Sequence, residues 1–262
     1  MNISGNTILI TGGTSGIGFE LAAQLLKLGN TVMITGRDQA RLDEAHKNLA
    51  GVHTFQSDVS DPNAISALFE AVVKKFPEMN VLINNAGIMR KLNLQNYKSD
   101  LQDVSREIET NLMGPVRMVK QFLPHLLVQT TSGIVNVSSG LAFVPLPIAP
   151  IYCATKAALH SFTQSLRVQL KNTRVKVFEL APPATQTPLL GGDFTSDDLK
   201  GVTVMNVTKM VGEAIEGLRK DRLEIRPGQA NALKLMSRIA PQFILNQLSR
   251  PVDAMLAEPA PR

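Results

Sequence analysis

The sequence contains no tryptophan, only two tyrosines and a single cysteine among its 262 residues. One thiol cannot form an internal disulfide, so we expect the hydrophobic core to hold the fold, in the reducing cytoplasm. The chain also lacks an apolar run of roughly 18 residues, which a membrane-spanning helix needs, and a basic-then-apolar leader at its start. These absences predict a globular protein without a membrane span.

Charge and histidine placement exclude two further classes of protein. From position 217 onward the chain carries eight Lys or Arg and four Asp or Glu, so most of the net charge of +5 lies in the tail. Because this basic stretch has no interleaved aromatic residues, we do not expect nucleic-acid binding. None of the four histidines has other metal ligands at suitable spacing, so we expect no metal site.

Short β-rich runs alternate with helical patterns, which is typical of a parallel sheet with helices on both faces. We predict an α/β, doubly wound Rossmann fold. Residues 1–226 would form the dinucleotide-binding and catalytic domain, and 227–262 a C-terminal helical extension of it. In the long helical region 101–128 we expect interruptions at Pro115 and Pro124. The predicted strands are 7–11, 31–35, 52–56, 81–84, 133–139 and 175–180, and the other helices are 16–29, 38–50, 61–76 and 151–171.

A glycine-rich turn, "TGGTSGIG" at 11–18, joins the first predicted strand to the first helix. Gly12, Gly16 and Gly18 lack the side chains that would keep a diphosphate from the helix N-terminus, where free N–H groups and the dipole favour anions. Glycines in such a turn can also serve packing alone. The position of this turn at the start of a βαβ series instead predicts nucleotide binding.

A second pattern, "YCATK", places Tyr152 and Lys156 one turn apart on one face of a predicted helix. A phenol is a poor base at neutral pH, but a nearby ammonium lowers its pKa by favouring the phenolate. We expect this effect at Tyr152, which could then exchange a proton with a substrate. The alternative is an ordinary amphipathic helix whose lysine reaches solvent.

Several motifs together resemble the short-chain dehydrogenase/reductase family over about residues 5–226. They are the glycine turn, "SDV" at 57–59, "NNAG" at 84–87, Asn111, "GIVNVSS" at 133–139 and Y-x-x-x-K, in the family's order. Less closely, "SGLAF" and the basic tail resemble a bacterial branch of that family whose label links it to lipoteichoic acid D-alanylation.

The resemblance implies a catalytic set of Asn111, Ser139, Tyr152 and Lys156. In the family the serine hydrogen-bonds the substrate oxygen, and the asparagine anchors a water in a proton relay from a kinked helix. Ser138 is the alternative to Ser139, and an ordinary helix-surface position is the alternative for Asn111.

The resemblance also implies a nicotinamide dinucleotide as cofactor. Pro183 departs from the family, which usually has glycine there, and its ring fixes φ and removes an N–H. The implied cofactor-binding residues are Gly12, Thr14, Ser15, Gly16, Ile17, Gly18, Arg37, Asp58, Val59, Asn85, Ala86, Gly87, Tyr152, Lys156, Pro182, Thr185 and Thr187.

The end of the second predicted strand, "MITGRD" at 33–38, bears on which dinucleotide binds. Proteins that prefer NAD usually place an acid at this strand end, whereas this chain has Gly36 followed by Arg37. An arginine there can pair with the 2′-phosphate of NADP. We therefore expect NADP (NADPH), with NAD as the second candidate, and we interpret Asp38 as a helix cap.

The substrate side is apolar in sequence. "GLAFVPLPIAPI" at 140–151 predicts either a pocket wall for an apolar or bulky substrate or a surface packed under a lid or subunit. Gly191 and Gly192 could be hinges of a substrate loop at 189–201. The tail would cover the substrate site, join a subunit interface, or make a peripheral contact with an anionic membrane.

These observations predict an NADP-dependent oxidoreductase that interconverts a carbonyl and an alcohol on an apolar or bulky small molecule. Hydride transfer would be coupled to a proton exchanged by Tyr152. The family resemblance further implies a homodimer or homotetramer formed through the helices at 101–128 and 151–171. The alternative is an NAD(P)-binding sensor or regulatory protein without significant turnover.

Overall fold

A computed structural model describes residues 1–96 and 100–257. It confirms the predicted class, because seven parallel strands form one sheet in the order β3-β2-β1-β4-β5-β6-β7. The chain therefore runs outward in both directions from the β1/β4 pair, and this switch point opens a crevice at the carboxyl ends of the strands. The strands are Thr7–Thr11 (β1), Thr31–Gly36 (β2), His53–Gln56 (β3), Val81–Asn84 (β4), Ser132–Val137 (β5), Val175–Leu180 (β6) and Glu224–Ile225 (β7).

Helices cover both faces of the sheet, so the central strands β1 and β4 are buried throughout. On one face Leu21, Leu42 and Met210 belong to the same buried cluster as Ile8 and Ile10 of β1. The opposite face has its own cluster. The helices of the first face are α1 (Gly16–Lys27), α2 (Gln39–Asn48) and α7 (Val207–Arg219), and those of the second are α3 (Pro62–Lys75), α5 (Gly114–Val128) and α6 (Pro150–Gln169), with α4 (Leu101–Ile108) preceding α5.

Side-chain caps fix where two of these helices begin. The Asp38 carboxylate accepts a hydrogen bond from the backbone N–H of Arg41 at 3.2 Å, which confirms Asp38 as the cap of α2. Asp61 caps α3 in the same way, and Pro62 occupies the first turn, where its missing N–H is not needed.

The long helical region is interrupted just before Pro115, as predicted, but not at Pro124. A π-helical turn, Glu109–Met113, separates α4 from α5, whereas Pro115 lies in the first turn of α5 and Pro124 lies inside it. The backbone continues in helical conformation from Met113 through Gly114, so the missing N–H of Pro115 falls within a helical run, directly after the π turn. The π turn contains Asn111, whose side chain bonds to the main chain after β4.

The tail forms three helices, α8 (Ala230–Ile239), α9 (Pro241–Leu248) and α10 (Arg250–Ala257). They turn back toward the carboxyl ends of the strands, so that Met255 packs in one buried cluster with Tyr152 and Met89. The last five residues of the predicted extension, 258–262, lie outside the described residues. No helix in the described ranges has the length and apolar character needed to cross a bilayer.

Candidate active site

A cavity of about 700 Å³ opens at the carboxyl ends of the strands, next to the β1/β4 switch point. Among the predicted residues, Gly18 and Asn111 do not line it and stand behind its wall. The predicted residues on its surface are Gly12, Thr14, Ser15, Gly16, Ile17, Arg37, Asp58, Val59, Asn85, Ala86, Gly87, Ser139, Tyr152, Lys156, Pro182, Thr185 and Thr187.

The glycine turn forms one side of this cavity. Gly12 has φ +66°, and a Cβ there would lie 2.8 Å from Cα of Ala86. Gly18 lets α1 pack against the turn, because a Cβ would stand only 2.3 Å from the carbonyl oxygen of Gly12. Within the described chain, no side chain caps α1 at Ser15 and no acidic residue occupies its first turn. The helix N-terminus is therefore suited to an anionic group.

Beyond the glycine turn, the cavity reaches the end of β2, where Arg37 and Arg41 both line it. Asp38 lies between them in sequence, but its carboxylate accepts the Arg41 backbone N–H and stands 3.9 Å from Arg41 Nε. The sequence analysis missed Arg41. The available signal was its position four residues past Arg37, in the first turn of the helix that Asp38 caps.

The predicted strand 133–139 is two residues too long, because β5 ends at Val137. Ser139 instead caps a short 3-10 turn, Gly140–Ala142, and its Oγ accepts the backbone N–H of Leu141 at 3.1 Å. The Gly140 N–H donates to the carbonyl of Pro182 at 2.7 Å, which draws the chain out of the sheet. This turn brings the Ser139 hydroxyl to the same cavity as Tyr152, where it acts to lower the pKa of the phenol.

Ser138, the alternative to Ser139, points toward a different set of groups. Its hydroxyl donates to the carboxylate of Glu179, a fully buried residue of β6. The same carboxylate lies 2.7 Å from Nδ1 of His160 on α6. The Ser138 hydroxyl is thus already hydrogen-bonded to Glu179 beneath α6. The geometry therefore favours Ser139 as the serine that hydrogen-bonds a substrate.

Tyr152 and Lys156 lie side by side in the first turns of α6, and both are buried. The Lys156 Nζ is 5.5 Å from the centre of the Tyr152 ring and donates to the carbonyl of Val137 at 2.9 Å. Burial lowers the pKa of Lys156 to about 8. The carbonyl of Val137, at the end of β5, therefore holds the Lys156 ammonium over the Tyr152 ring.

The expectation that Lys156 lowers the pKa of Tyr152 is not met in this structure. Burial raises the pKa of the Tyr152 hydroxyl, and the hydrogen bond with Ser139 opposes this only in part. The physical reason is that burial removes the phenolate from water, and this is the largest contribution to the shift. Tyr152 thus keeps its proton at neutral pH.

Asn111 is fully buried behind Gly87. Its Oδ1 accepts the backbone N–H of Ile88 at 2.8 Å, and its Nδ2 donates to the carbonyl of Ile88 at 2.8 Å and to Thr155 Oγ1 at 3.2 Å. The surface-position alternative for Asn111 is therefore wrong. This side chain joins the π turn to the loop after β4 and to α6.

The other half of the cavity has apolar walls. Part of the segment 140–151 faces it, as one of the two readings predicted, and the segment after β6 adds further leucines and Phe194. The tail also contributes, which the sequence had left open. The apolar residues of this wall are Met89, Leu141, Leu146, Leu189, Leu190, Phe194, Leu199, Val202, Leu233, Ile244 and Leu248.

The segment 189–201 is fastened to the loop after β4 by an ion pair. Lys91 Nζ lies 3.2 Å from Asp198 Oδ1, and the Asp198 side chain is 3% exposed. Asp198 also accepts the backbone N–H and the hydroxyl of Thr195. Although burial alone would raise the pKa of Asp198, these bonds from Thr195 and Lys91 lower it.

The whole arrangement fits a dinucleotide cofactor. One end offers a helix N-terminus without side chains in the way, followed by two arginines, and the other end offers a phenol, a hydroxyl and an ammonium beside an apolar chamber. These features define a nucleotide-dependent oxidoreductase site at the switch point of a doubly wound sheet.

Comparison with known sequences agrees with this class. The sequence model described as short chain dehydrogenase matches residues 6–197. The chain therefore belongs to the short-chain dehydrogenase/reductase family and is an NAD(P)-dependent dehydrogenase/reductase.

The chain is similar to the "Uncharacterized oxidoreductase DltE" of Bacillus subtilis, with 43% identity over 95% of this chain and 98% of the relative. Two solved structures share the fold. A short-chain dehydrogenase from Sphingobium yanoikuyae in complex with NADPH has a TM-score of 0.77, with 25% identity over 98% of each chain. The 3-ketoacyl-(acyl-carrier-protein) reductase from Brucella melitensis, complexed with NADH, has a TM-score of 0.78, with 27% identity over 87% of this chain and 100% of that one.

Proposed function

We propose that the chain uses NADP(H) to interconvert a carbonyl and an alcohol on an apolar small molecule. The observation that carries this proposal is the meeting of Tyr152, Ser139 and Lys156 between the glycine turn and the apolar chamber. A protein that only senses the dinucleotide has no need of a hydroxyl pair and an ammonium at this junction.

Tyr152 and Ser139 have different roles in the reduction of a carbonyl. When bound, the nicotinamide dinucleotide supplies the hydride that adds to the carbonyl carbon. Tyr152 donates its proton to the carbonyl oxygen, and the Ser139 hydroxyl donates a hydrogen bond to the same oxygen as negative charge develops there. Because burial raises the pKa of Tyr152, the donor is protonated before the step.

Lys156 supports this step from the side. Its ammonium is held 5.5 Å from the Tyr152 ring centre, where its positive charge stabilises the phenolate left after the proton has moved. Asn111 positions this region, because its side chain bonds both to Ile88, in the loop after β4, and to Thr155 on α6.

The preference for NADP rests on the two arginines at the end of β2. Arg37 and Arg41 both face the cavity, and a guanidinium pairs well with a phosphate. Asp38 does not oppose this, because its carboxylate is engaged by Arg41 and caps α2. The two solved structures described above contain NADPH in one case and NADH in the other. The proposed preference for NADP is therefore supported by Arg37 and Arg41, not by the relatives.

The apolar character of the substrate follows from the chamber beside Tyr152. Its wall consists of leucine, methionine, isoleucine, valine and phenylalanine side chains from four separate parts of the chain. The charged side chain on this wall, Asp198, is already paired with Lys91. An uncharged carbonyl compound with an apolar body fits such a chamber better than an anionic one.

We further propose that the chain forms a homo-oligomer through α4, α5 and α6. Leu101 on α4 is 89% exposed, Val128 on α5 77% and Val168 on α6 64%. Apolar residues this exposed are suited to burial against a second copy.

The C-terminal extension at 227–262 is proposed as part of the same domain as residues 1–226. We also propose a cytoplasmic location, which the buried single thiol of Cys153 fits.

Turnover tests the proposed function directly. Purified protein would be given NADPH and a panel of aliphatic, aromatic and charged aldehydes and ketones, and the loss of absorbance of NADPH followed. We expect turnover of apolar members and little turnover of anionic ones. NADPH binding without turnover of any carbonyl, and NADP+ binding without oxidation of any alcohol, would favour the sensor alternative.

A further inference from the structure

The helix α6 carries His160 one turn after Lys156 and two turns after Tyr152, so the three side chains share one face. Lys156 reaches the carbonyl of Val137, at the end of β5, at 2.9 Å. His160 instead reaches β6, where its Nδ1 lies 2.7 Å from Oε2 of Glu179. The helix that carries the reacting tyrosine is therefore tied to the sheet by polar contacts at two successive turns.

Glu179 connects the second of these contacts to the residue before Ser139. Its carboxylate is fully buried, and its other oxygen, Oε1, accepts the hydroxyl of Ser138. Ser138 also donates its backbone N–H to the carbonyl of Leu180 at 2.7 Å. The side chains of Ser138, Glu179 and His160, which we call the buried chain, thus link the end of β5 to α6 by way of β6.

His160 also contacts the residue that follows the turn at Ser139. The short 3-10 turn has Ser139 as its cap before it and Phe143 directly after it. The Phe143 ring meets the His160 imidazole edge to face, with ring centres 5.1 Å apart. The turn is therefore linked to α6 on both sides, through Ser138 before it and through Phe143 after it.

The carboxylate of Glu179 depends on both of its partners. Removing a carboxylate from water is costly unless its oxygens are hydrogen-bonded, and Glu179 is fully buried. Ser138 donates to one oxygen, and His160 lies at hydrogen-bond distance from the other. We therefore expect the loss of either partner to shift the end of β5 relative to α6.

Other bonds hold α6 and the turn in their general positions. The Gly140 N–H donates to the carbonyl of Pro182, which fixes the turn to the segment after β6. Asn136 Nδ2 on β5 donates to Thr163 Oγ1 on α6 at 2.9 Å, and in the described chain neither of these two residues lines the cavity. Neither bond joins α6 to the turn, whereas the buried chain does.

We propose that Glu179 and His160 are positioning residues for the reaction, because they fix the spacing between α6 and the turn that carries Ser139. This spacing decides whether the Tyr152 and Ser139 hydroxyls can reach the same carbonyl oxygen. The inference rests on the proposed function, which requires both hydroxyls at that oxygen. Among the described residues that line the cavity, neither Glu179 nor His160 occurs, so both act on the substrate only through their neighbours.

Two substitutions of His160 separate its hydrogen bond from its bulk. His160→Asn keeps an N–H near the position of Nδ1, whereas His160→Leu has almost the same shape without that N–H, and both lose the ring contact with Phe143. Crystal structures of the wild type and both variants would give the separation of the Ser139 and Tyr152 hydroxyl oxygens. We expect His160→Leu to change it by about 0.5 Å or more, the tolerance of a catalytic arrangement, and His160→Asn to keep it.

This structural measurement does not depend on turnover. The same separation in all three proteins would overturn the inference. An equal change in both variants would also overturn it, because the ring contact, rather than the hydrogen bond, would then set the spacing. A change in His160→Leu alone, in a protein that reduces no carbonyl compound, would retain the positioning role and refute the proposed activity.

Kinetics test whether this spacing matters for the reaction. We expect His160→Leu to lower kcat about tenfold or more, as small misplacements of reacting groups do, while NADPH affinity changes little. His160→Asn should retain most of the wild-type kcat. Thr163→Val, which removes the bond to Asn136, is the matched control and should lower the melting temperature but keep kcat. An equal fall in kcat for Thr163→Val would show that any loosening of α6 has this effect, and would overturn the specific role.

Ser138→Ala breaks the buried chain at its other end and serves as the second variant if His160→Leu does not fold. The Ser138 hydroxyl donates to Glu179, so its removal should also lower kcat about tenfold or more. A wild-type kcat in folded Ser138→Ala would refute the chain as the link between β5 and α6.

Discussion

The two halves of the cavity are built by different means. The cofactor half depends on backbone geometry, as at Gly12 and Gly18, where missing side chains allow close approach. The substrate half is a wall of apolar side chains from segments as far apart in sequence as Met89 and Leu248. A backbone cradle tolerates few residue types at each position, whereas an apolar wall accepts many. We therefore expect substitutions to remove function in the first half and to redirect it in the second.

Tyr152 stands at the junction of the halves and should show the largest effect. Tyr152→Phe keeps the ring but removes the proton donor, so we expect kcat to fall about 10²–10⁴-fold. NADPH affinity, measured by fluorescence titration, should change little. Cys153→Ala, the next residue on the helix, is the control and should retain activity. A phenylalanine variant within tenfold of the wild type would refute the acid role.

Lys156 should leave a signature in the pH dependence of stability. Its pKa is lowered from 10.5 to about 8 on folding, so between these values the unfolded chain binds more protons than the folded one. The free energy of unfolding must therefore rise with pH across this window, by up to about 1.4 kcal/mol per pH unit. Urea unfolding of wild type and Lys156→Met at pH 8 and 9.5 would measure it. We expect the free energy of unfolding of the wild type to rise more than that of the variant between pH 8 and pH 9.5. A difference in unfolding free energy that is the same at both pH values would contradict the lowered pKa of Lys156.

Substitution of Gly18 tests whether the cofactor half of the cavity depends on the absence of a side chain at this position. Gly18→Ala would place a Cβ 2.3 Å from the Gly12 carbonyl oxygen and 2.5 Å from Asn85 Nδ2. We expect a loss of about 1–3 kcal/mol in the free energy of unfolding, together with weaker NADPH binding. Gly212→Ala, in α7 with only one atom 4.0 Å from the added Cβ, is the matched control. It should be neutral or stabilise by up to about 1 kcal/mol. Equal effects at both sites would undermine the account of the turn.

The arginines should give the smallest effect, because they are at the open end of the cavity. We expect Arg37→Ala and Arg41→Ala each to weaken NADPH binding about tenfold, the low end for a charge-assisted bond, while NADH binding changes little. Titration of both cofactors against each variant makes the comparison. Equal losses for NADPH and NADH would mean that neither arginine reads the 2′-phosphate.

The contrast between the halves also explains what the sequence could predict. The strands, the glycine turn and the Tyr152–Lys156 pair were identified because each depends on local spacing, and the structure brings them to one cavity. The fold class was confirmed, and Asp38 was correctly interpreted as a cap.

Features that depend on distant partners were missed or misplaced. The kinked helix at Asn111 was expected from the resemblance, but its bonds to Ile88 and Thr155 were not, nor was the early end of β5 at the bond between Gly140 and Pro182. The tail wall depends on Leu233 meeting Gly140, nearly a hundred residues away. No local pattern encodes such contacts, so periodicity could show that the tail is helical but not where it packs.

A crystal structure of the enzyme with NADPH and an unreactive alkyl amide would test the central claim most directly. The account predicts the diphosphate against the turn at Gly12 and the nicotinamide ring beside Tyr152. The amide oxygen, in place of the substrate carbonyl, should lie about 3 Å from both the Tyr152 and Ser139 hydroxyls. A nicotinamide ring outside the chamber, or an amide oxygen bound away from Tyr152, would contradict it.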